Sequence, residues 1–273
     1  MSGTRSAFRM APATESRAAL IVAHGSPSAP GRPEEDLHAL ADRVAARLHG
    51  WTVRGATLAG RGTLKATLDT LGSQQVSIYP LFMSDGWFVS RELPRRIGEL
   101  CDSAFAMLSP LGLDPALHAL CLDCVRRAAS ERDLSLQETT ILLAAHGSPS
   151  DPRPREAAEK AARFIAAAGL VRDVRVGFVD EVPYLAEAAR LNGPALCLPF
   201  FAGHAGHVDV DLPRALAEAA FPGPMLDPVG MRPEIAQIVA AALSMDAVKI
   251  PVRAAVSRLA TRSGALGTRI SNT

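Results

Sequence analysis

The stretch TILLAAHGSPSDPRPRE, residues 140–156, joins a short apolar run to a Pro- and Ser-rich segment, with a histidine at the junction. Residues 17–35, RAALIVAHGSPSAPGRPEE, do the same, and His24 and His146 stand 122 positions apart. The register persists on both sides. RPEEDLHALADRVAARL from Arg32 answers RPREAAEKAARFIAAAGL from Arg153. YPLFMSDGWFVSRELPRRIGEL from Tyr79 answers LPFFAGHAGHVDVDLPRALAEA from Leu198, with Pro94 and Pro213 separated by 119. SPLGLDPAL from Ser109 answers DPVGMRPEI from Asp227. One offset linking four blocks in the same order marks a duplicated unit.

Each unit alternates short apolar runs with helical patterns. AALIVA and TILLAA have the length and uniform hydrophobicity of strands covered on both faces. TVRGATLA and VRVGFVD are second strands, and QVSIYPLF and ALCLPFF third ones. After the first strand, Leu37, Leu40, Val44 and Leu48 recur at helical spacing. RELPRRIGEL and VDLPRALAEA open helices with proline in the first turn, where its missing N–H costs nothing. Strand–helix alternation predicts an α/β fold: two tandem, repeat-related domains, each an open parallel sheet with helices on both faces. The expected limits are residues 17–130 for unit one and 138–245 for unit two, joined by a polar linker. The segment 246–273 reads as a flexible basic tail, with five basic residues and no acid from Lys249 on.

Composition narrows the partners. Lys plus Arg number 29 against 28 Asp plus Glu, a net charge of +1 over 273 residues. That balance gives no footprint for nucleic acid or a membrane surface. Four cysteines are too few for a disulfide scaffold and suit a reducing compartment. The first 17 residues lack the apolar core of a signal sequence, and AALIVA is too short to span a bilayer. A cytoplasmic setting is expected.

Ligands of open parallel sheets bind beyond the carboxyl ends of the strands. His24 and His146 follow directly on first strands. In unit two, Asp180 and Glu181 end the second strand, and His207 follows the third in PFFAGHAGHVDVDLP. Two imidazoles and a carboxylate on one edge suit Co²⁺, Fe²⁺, Ni²⁺ or Zn²⁺. Three protein ligands would leave positions open for transfer. Unit one differs: aligned on Pro80 and Pro199, the position of His207 is Phe88, and Asp180 and Glu181 fall on or near Ala59 and Gly60. His24 therefore reads as structural or vestigial, and the two copies as inequivalent.

The spaced set AHGS (residues 145–148), FVDEVPYLAEA from Phe178 and PFFAGHAGHVDVDLP from Pro199 resembles the class II tetrapyrrole chelatases, the sirohydrochlorin cobaltochelatases and ferrochelatases. The resemblance spans nearly the whole chain as two tandem family domains. It implies ATP-independent insertion of Co²⁺ or Fe²⁺ into sirohydrochlorin, toward cobalamin or siroheme, with His146 and His207 on the metal and an acidic residue assisting. The family acid is a Glu two residues after the Phe; Asp180 holds that place with Glu181 beside it, and Asp180 is put ahead as third ligand. Such relatives need no cofactor beyond the substrate metal and act as monomers or homodimers. A non-catalytic metal or tetrapyrrole carrier is the alternative reading. A histidine phosphatase would need an arginine next to the histidine, where Ala23 and Ala145 stand.

The remaining polar residues have plainer readings. Arg153, Arg155 and the start of their helix are candidates for the acidic side chains of the substrate. Asp211, before LPRALAEA, reads as a helix N-cap. His204 is an accessory ligand or a solvent-facing loop residue, Asp209 a solvated charge, and His38 and His49 helix-surface residues. His118, Cys121 and Cys124 share a helix whose apolar face includes Leu117 and Leu120, so buried structural cysteines are expected. Trp87 and Phe88 would fill the mouth of unit one or wall the cleft between units.

Overall fold

The computed structural model describes residues 17–26, 31–60, 62–72, 75–101, 104–204 and 206–246. The basic tail expected over 246–273 lies outside the described residues from 247 on. Unit one runs β1 (Arg17–Ala23), α1 (Gly31–Ala45), β2 (Trp51–Thr57), α2 (Thr63–Leu71), β3 (Val76–Pro80), α3 (Leu93–Leu100), β4 (Phe105–Met107) and α4 (Pro115–Ser130). Unit two repeats the order with β5 (Thr140–Ala145), α5 (Arg153–Ala167), β6 (Asp173–Phe178), α6 (Leu185–Ala188), β7 (Ala195–Pro199), α7 (Leu212–Glu218) and α8 (Ile235–Asp246). The sheets are parallel, in the orders β2-β1-β3-β4 and β6-β5-β7. These are the α/β units that the apolar runs predict. β4, only three residues long, escapes the strand pattern, and its counterpart in unit two is a single bridge between Cys197 and Met225.

Strand alternation divides the core into three. Ala19 and Ile21 of β1 and Ile141, Leu143 and Ala145 of β5 face one shared cluster. Ala18, Leu20 and Val22 face a second cluster with α2 and α3, and Leu142 and Ala144 a third with α6 and α7. Successive side chains point to opposite faces, so each first strand serves an inner and an outer core.

The shared core is built by exchange. α4, which closes unit one in sequence, packs on α5 and β7 of unit two. α8, which closes unit two, packs on α1 and β3 of unit one. Leu117, Cys121 and Val125 of α4 and Ile235, Val239 and Leu243 of α8 are fully buried there. Asp114 caps α4 by accepting from Ala116 N at 2.8 Å, and Pro115 occupies its first turn. His118 is buried and donates from Nε2 to Gly112 O at 3.1 Å, while burial lowers its pKa from the usual value. Burial pushes the thiols of Cys121 and Cys124 up, and both stay protonated packing groups. Among the described residues no helix is long and apolar enough to cross a membrane.

Exchange makes the two units one cooperative body. Leu243→Ala, a truncation in unit two's last helix, should cost about 2–5 kcal/mol and leave a single calorimetric transition. Two resolved transitions, with unit one unaffected, would contradict the shared core.

Candidate metal centre

The paired strand ends place the two histidine copies identically. His146 C=O accepts from Asp180 N at 3.0 Å, and His24 C=O accepts from Ala59 N at 2.9 Å, so Ala59 is the structural counterpart of Asp180 and Gly60 that of Glu181. Gly147 adopts φ +74°, and a Cβ there would come within 2.7 Å of Glu181 Cγ. Glycine is needed at this point for both conformation and room.

His207 does not open an ordinary helix. Residues His207–Asp211 form a π-helical turn that runs into α7, and Phe88–Glu92 form the same turn before α3. Such turns are rare and cluster at functional sites. Here the turn carries the His207 ring toward His146, and the Nε2 atoms stand 3.2 Å apart with ring planes at 81°. A tetrahedral ion about 2.1 Å from each of two nitrogens would separate them by about 3.4 Å.

The opposite ring nitrogens decide what that pair presents. His207 Nδ1 donates to Asp211 Oδ2 at 2.8 Å. His146 Nδ1 donates to Gly147 O at 2.9 Å, with Asp180 Oδ2 at 3.4 Å. Carbonyl and carboxylate oxygens only accept, so each Nδ1 carries a proton, and a ring that is neutral turns a lone pair on Nε2 toward the other. Converging lone pairs repel each other and bind a shared cation. Carboxylate-backed imidazoles of this kind are the usual arrangement for metal-ligating histidine.

Asp180 and Glu181 take different paths. The Asp180 side chain is 44% exposed and reaches His146 from the Nδ1 side, away from the two Nε2 atoms. Glu181 is 11% exposed and turned inward. It accepts from Ser148 N at 2.9 Å and from Arg155 Nε at 3.0 Å, holding the loop after β5. Among the described residues no three His, Cys, Asp or Glu side chains gather at metal spacing. The converging donors are thus an imidazole pair; Asp180 stands behind one of them instead of completing a three-ligand set.

Three other expectations change. Asp211 makes no side-chain cap to α7; it orients His207 and accepts from Arg214 at 2.8 Å. The spacing His-x-x-x-Asp carried that signal, since i and i+4 share a face. His204 and Asp209 pair with each other at 2.8 Å. Arg155 is committed to Glu181 and Val182 O, and lies over the Phe178 ring. Arg153 is also committed: it binds Asp151 and reaches into unit one, donating to Asp85 O at 2.8 Å and Ser90 Oγ at 2.9 Å. Neither guanidinium is free for a substrate carboxylate.

The Arg153 bridge fixes unit one's π-turn beside the His146 loop. Asp151 accepts from Trp87 N as well as from Arg153, and these donors hold its carboxyl below the usual range. Phe88 packs edge-on to His24, ring centroids 4.6 Å apart. Burial lowers the His24 pKa, and the positive charge of Arg96 adds to the effect. The π-turn of unit one and the loop after His146 are thus joined directly.

The family model CbiX matches residues 18–128 and 140–245. Among solved structures, CbiX described as the terminal enzyme of siroheme biosynthesis in denitrifying bacteria is 42% identical, with a TM-score of 0.77 over 84% of this chain and 99% of that one. SirB of Bacillus subtilis with Fe³⁺ is 16% identical, TM-score 0.71, over 85% of this chain and 96% of its own. The sirohydrochlorin chelatase SirB of B. subtilis subspecies spizizenii with cobalt is 14% identical, TM-score 0.60, over 84% and 94%. Both SirB likenesses are likenesses of fold. No curated protein gives a significant match.

If Asp211 sets the tautomer of His207, Asp211→Ala should weaken Co²⁺ binding about 10–100-fold with the fold intact by circular dichroism. Asp209→Ala, which touches only His204, should leave affinity unchanged. Equal losses in both would refute the assignment.

Proposed function

The chain belongs to the CbiX family and is a metal chelatase; from that premise we propose that it inserts Fe²⁺ into sirohydrochlorin, with Co²⁺ the alternative metal, at a site carried by His146 and His207. The observation that carries the site is the pair of imidazole Nε2 atoms converging at 3.2 Å. The 42% identical relative, a siroheme-pathway enzyme, favours Fe²⁺.

The chemistry exchanges one M²⁺ for two pyrrole N–H protons. His146 and His207 hold the metal through Nε2 at the edge of the cleft. As a pyrrole nitrogen displaces an imidazole from the metal, that Nε2 lone pair is freed and accepts a proton; neutral histidine is suited to both roles near neutral pH. Asp180, beside His146 Nδ1, and Asp211, on His207 Nδ1, stabilise the imidazolium each ring becomes. Proton and metal thus use the same atoms in turn, and no nucleotide is consumed.

We assign the flat macrocycle to exposed apolar side chains on the segments around this pair. Trp87, at 53% exposure, and Phe88 come from unit one, Val182 and Tyr184 from the loop after Asp180, and Val210 from the turn of His207. These are five of the eight large apolar side chains exposed among the described residues. Exposed apolar patches of this kind mark binding surfaces, and aromatic rings stack on planar ligands. One chain supplies both walls, so a monomer suffices. Four cysteines, too few for a disulfide scaffold, suit a reducing cytoplasm.

Insertion followed by the absorbance change of sirohydrochlorin tests this. His146→Ala and His207→Ala should fall to the uncatalysed rate with Fe²⁺ and Co²⁺. Trp87→Ala should raise KM for the macrocycle with kcat largely kept, the mark of lost ground-state binding. Unchanged insertion in the double histidine variant would overturn the proposal.

A further inference from the structure

Unit one lacks the imidazole pair, yet it repeats the framework that builds it. The ring pair His24–Phe88 has centroids 4.6 Å apart and planes at 66°; His146–His207 has 4.5 Å and 81°. Phe88 opens a five-residue π-turn, as His207 does. Four residues on, Glu92 occupies the place of Asp211. It is buried and held by Arg95 Nη2 at 3.0 Å and Arg96 Nε at 2.6 Å, as Arg214 holds Asp211. Gly25 takes φ +77° after His24, as Gly147 takes +74° after His146.

We infer that unit one is a divalent-metal site closed by a single side chain, Phe88, which confines metal to unit two. Phe88 puts a carbon ring where the second lone pair would be, so His24 is left without a partner ligand. Ala59, in place of Asp180, also removes the carboxylate behind the first imidazole, and a reopened site would bind more weakly than that of unit two. The inference rests on His146 and His207 being the metal site of unit two, and predicts the effect of one substitution at an exposed position. A histidine there would find a carboxylate at i+4 to orient it and His24 opposite it.

The test counts bound Co²⁺, added as the metal alone, by equilibrium dialysis with the d–d absorption of the cobalt as a second readout. Wild type should bind one ion, Phe88→His two, and Phe88→His with His24→Ala one. His207→Ala should bind none, and Phe88→His with His207→Ala one, now in unit one. Phe88→Cys, which offers a thiolate, should also gain an ion and show sulfur-to-cobalt charge transfer. If folded Phe88→His and Phe88→Cys both bind no more cobalt than wild type, unit one is not a closed metal site. Failure of the unit-two assignment has a different signature: His207→Ala would then match wild type, whereas the Phe88 variants would still report on unit one.

Discussion

The central core that both sheets share is the constraint on which the site depends. Inner faces of β1 and β5 bury themselves against α1, α4, α5 and α8, and two of those helices come from the opposite half of the chain. Apolar burial of this extent is the main favourable contribution to folding. It leaves the halves no freedom to settle independently. The Arg153–Asp85–Ser90 bridge also fastens the aromatic turn of unit one to the loop that follows His146.

Within that frame the polar network separates tasks that one carboxylate pair seemed to share. Glu181 and Arg155 shape the loop, Asp211 sets the His207 tautomer, and Asp180 stays exposed beside His146. Both imidazoles are backed at Nδ1, and their Nε2 atoms face each other. Carboxylates close to the metal but not on it fit an enzyme that must release the ion, since fewer protein ligands leave more positions for the substrate.

Much of this was legible in the residues. Identical HGSPS strings exposed the duplication; period-two and period-3.6 patterns exposed the sheets and helices; and the His207-to-Phe88 difference exposed the asymmetry. What escaped was non-local or irregular. Nothing in the order of residues 115–130 says that α4 covers the other unit's sheet, because its apolar face is equally suited to either. Arg153 and Arg155 looked available because their partners, Asp85 and Ser90 in one case and Glu181 in the other, are distant in sequence. Asp211 looked like an N-cap because Asp-Leu-Pro is a common helix opening. The π-turn has no composition signature, and within it Asp211 meets His207 instead of capping backbone N–H groups.

Exchange of α4 and α8 also bears on inheritance. In a duplicated chain whose halves fold separately, an idle copy can drift, shrink or be deleted. Here each half lends the other a wall of its interior, so losing unit one would strip α8 of its seat and leave β7 and α5 without α4. The chain can retire the chemistry of one copy but not its body. On the proposed assignment, unit one would keep its turns and buried carboxylate for their part in the shared fold.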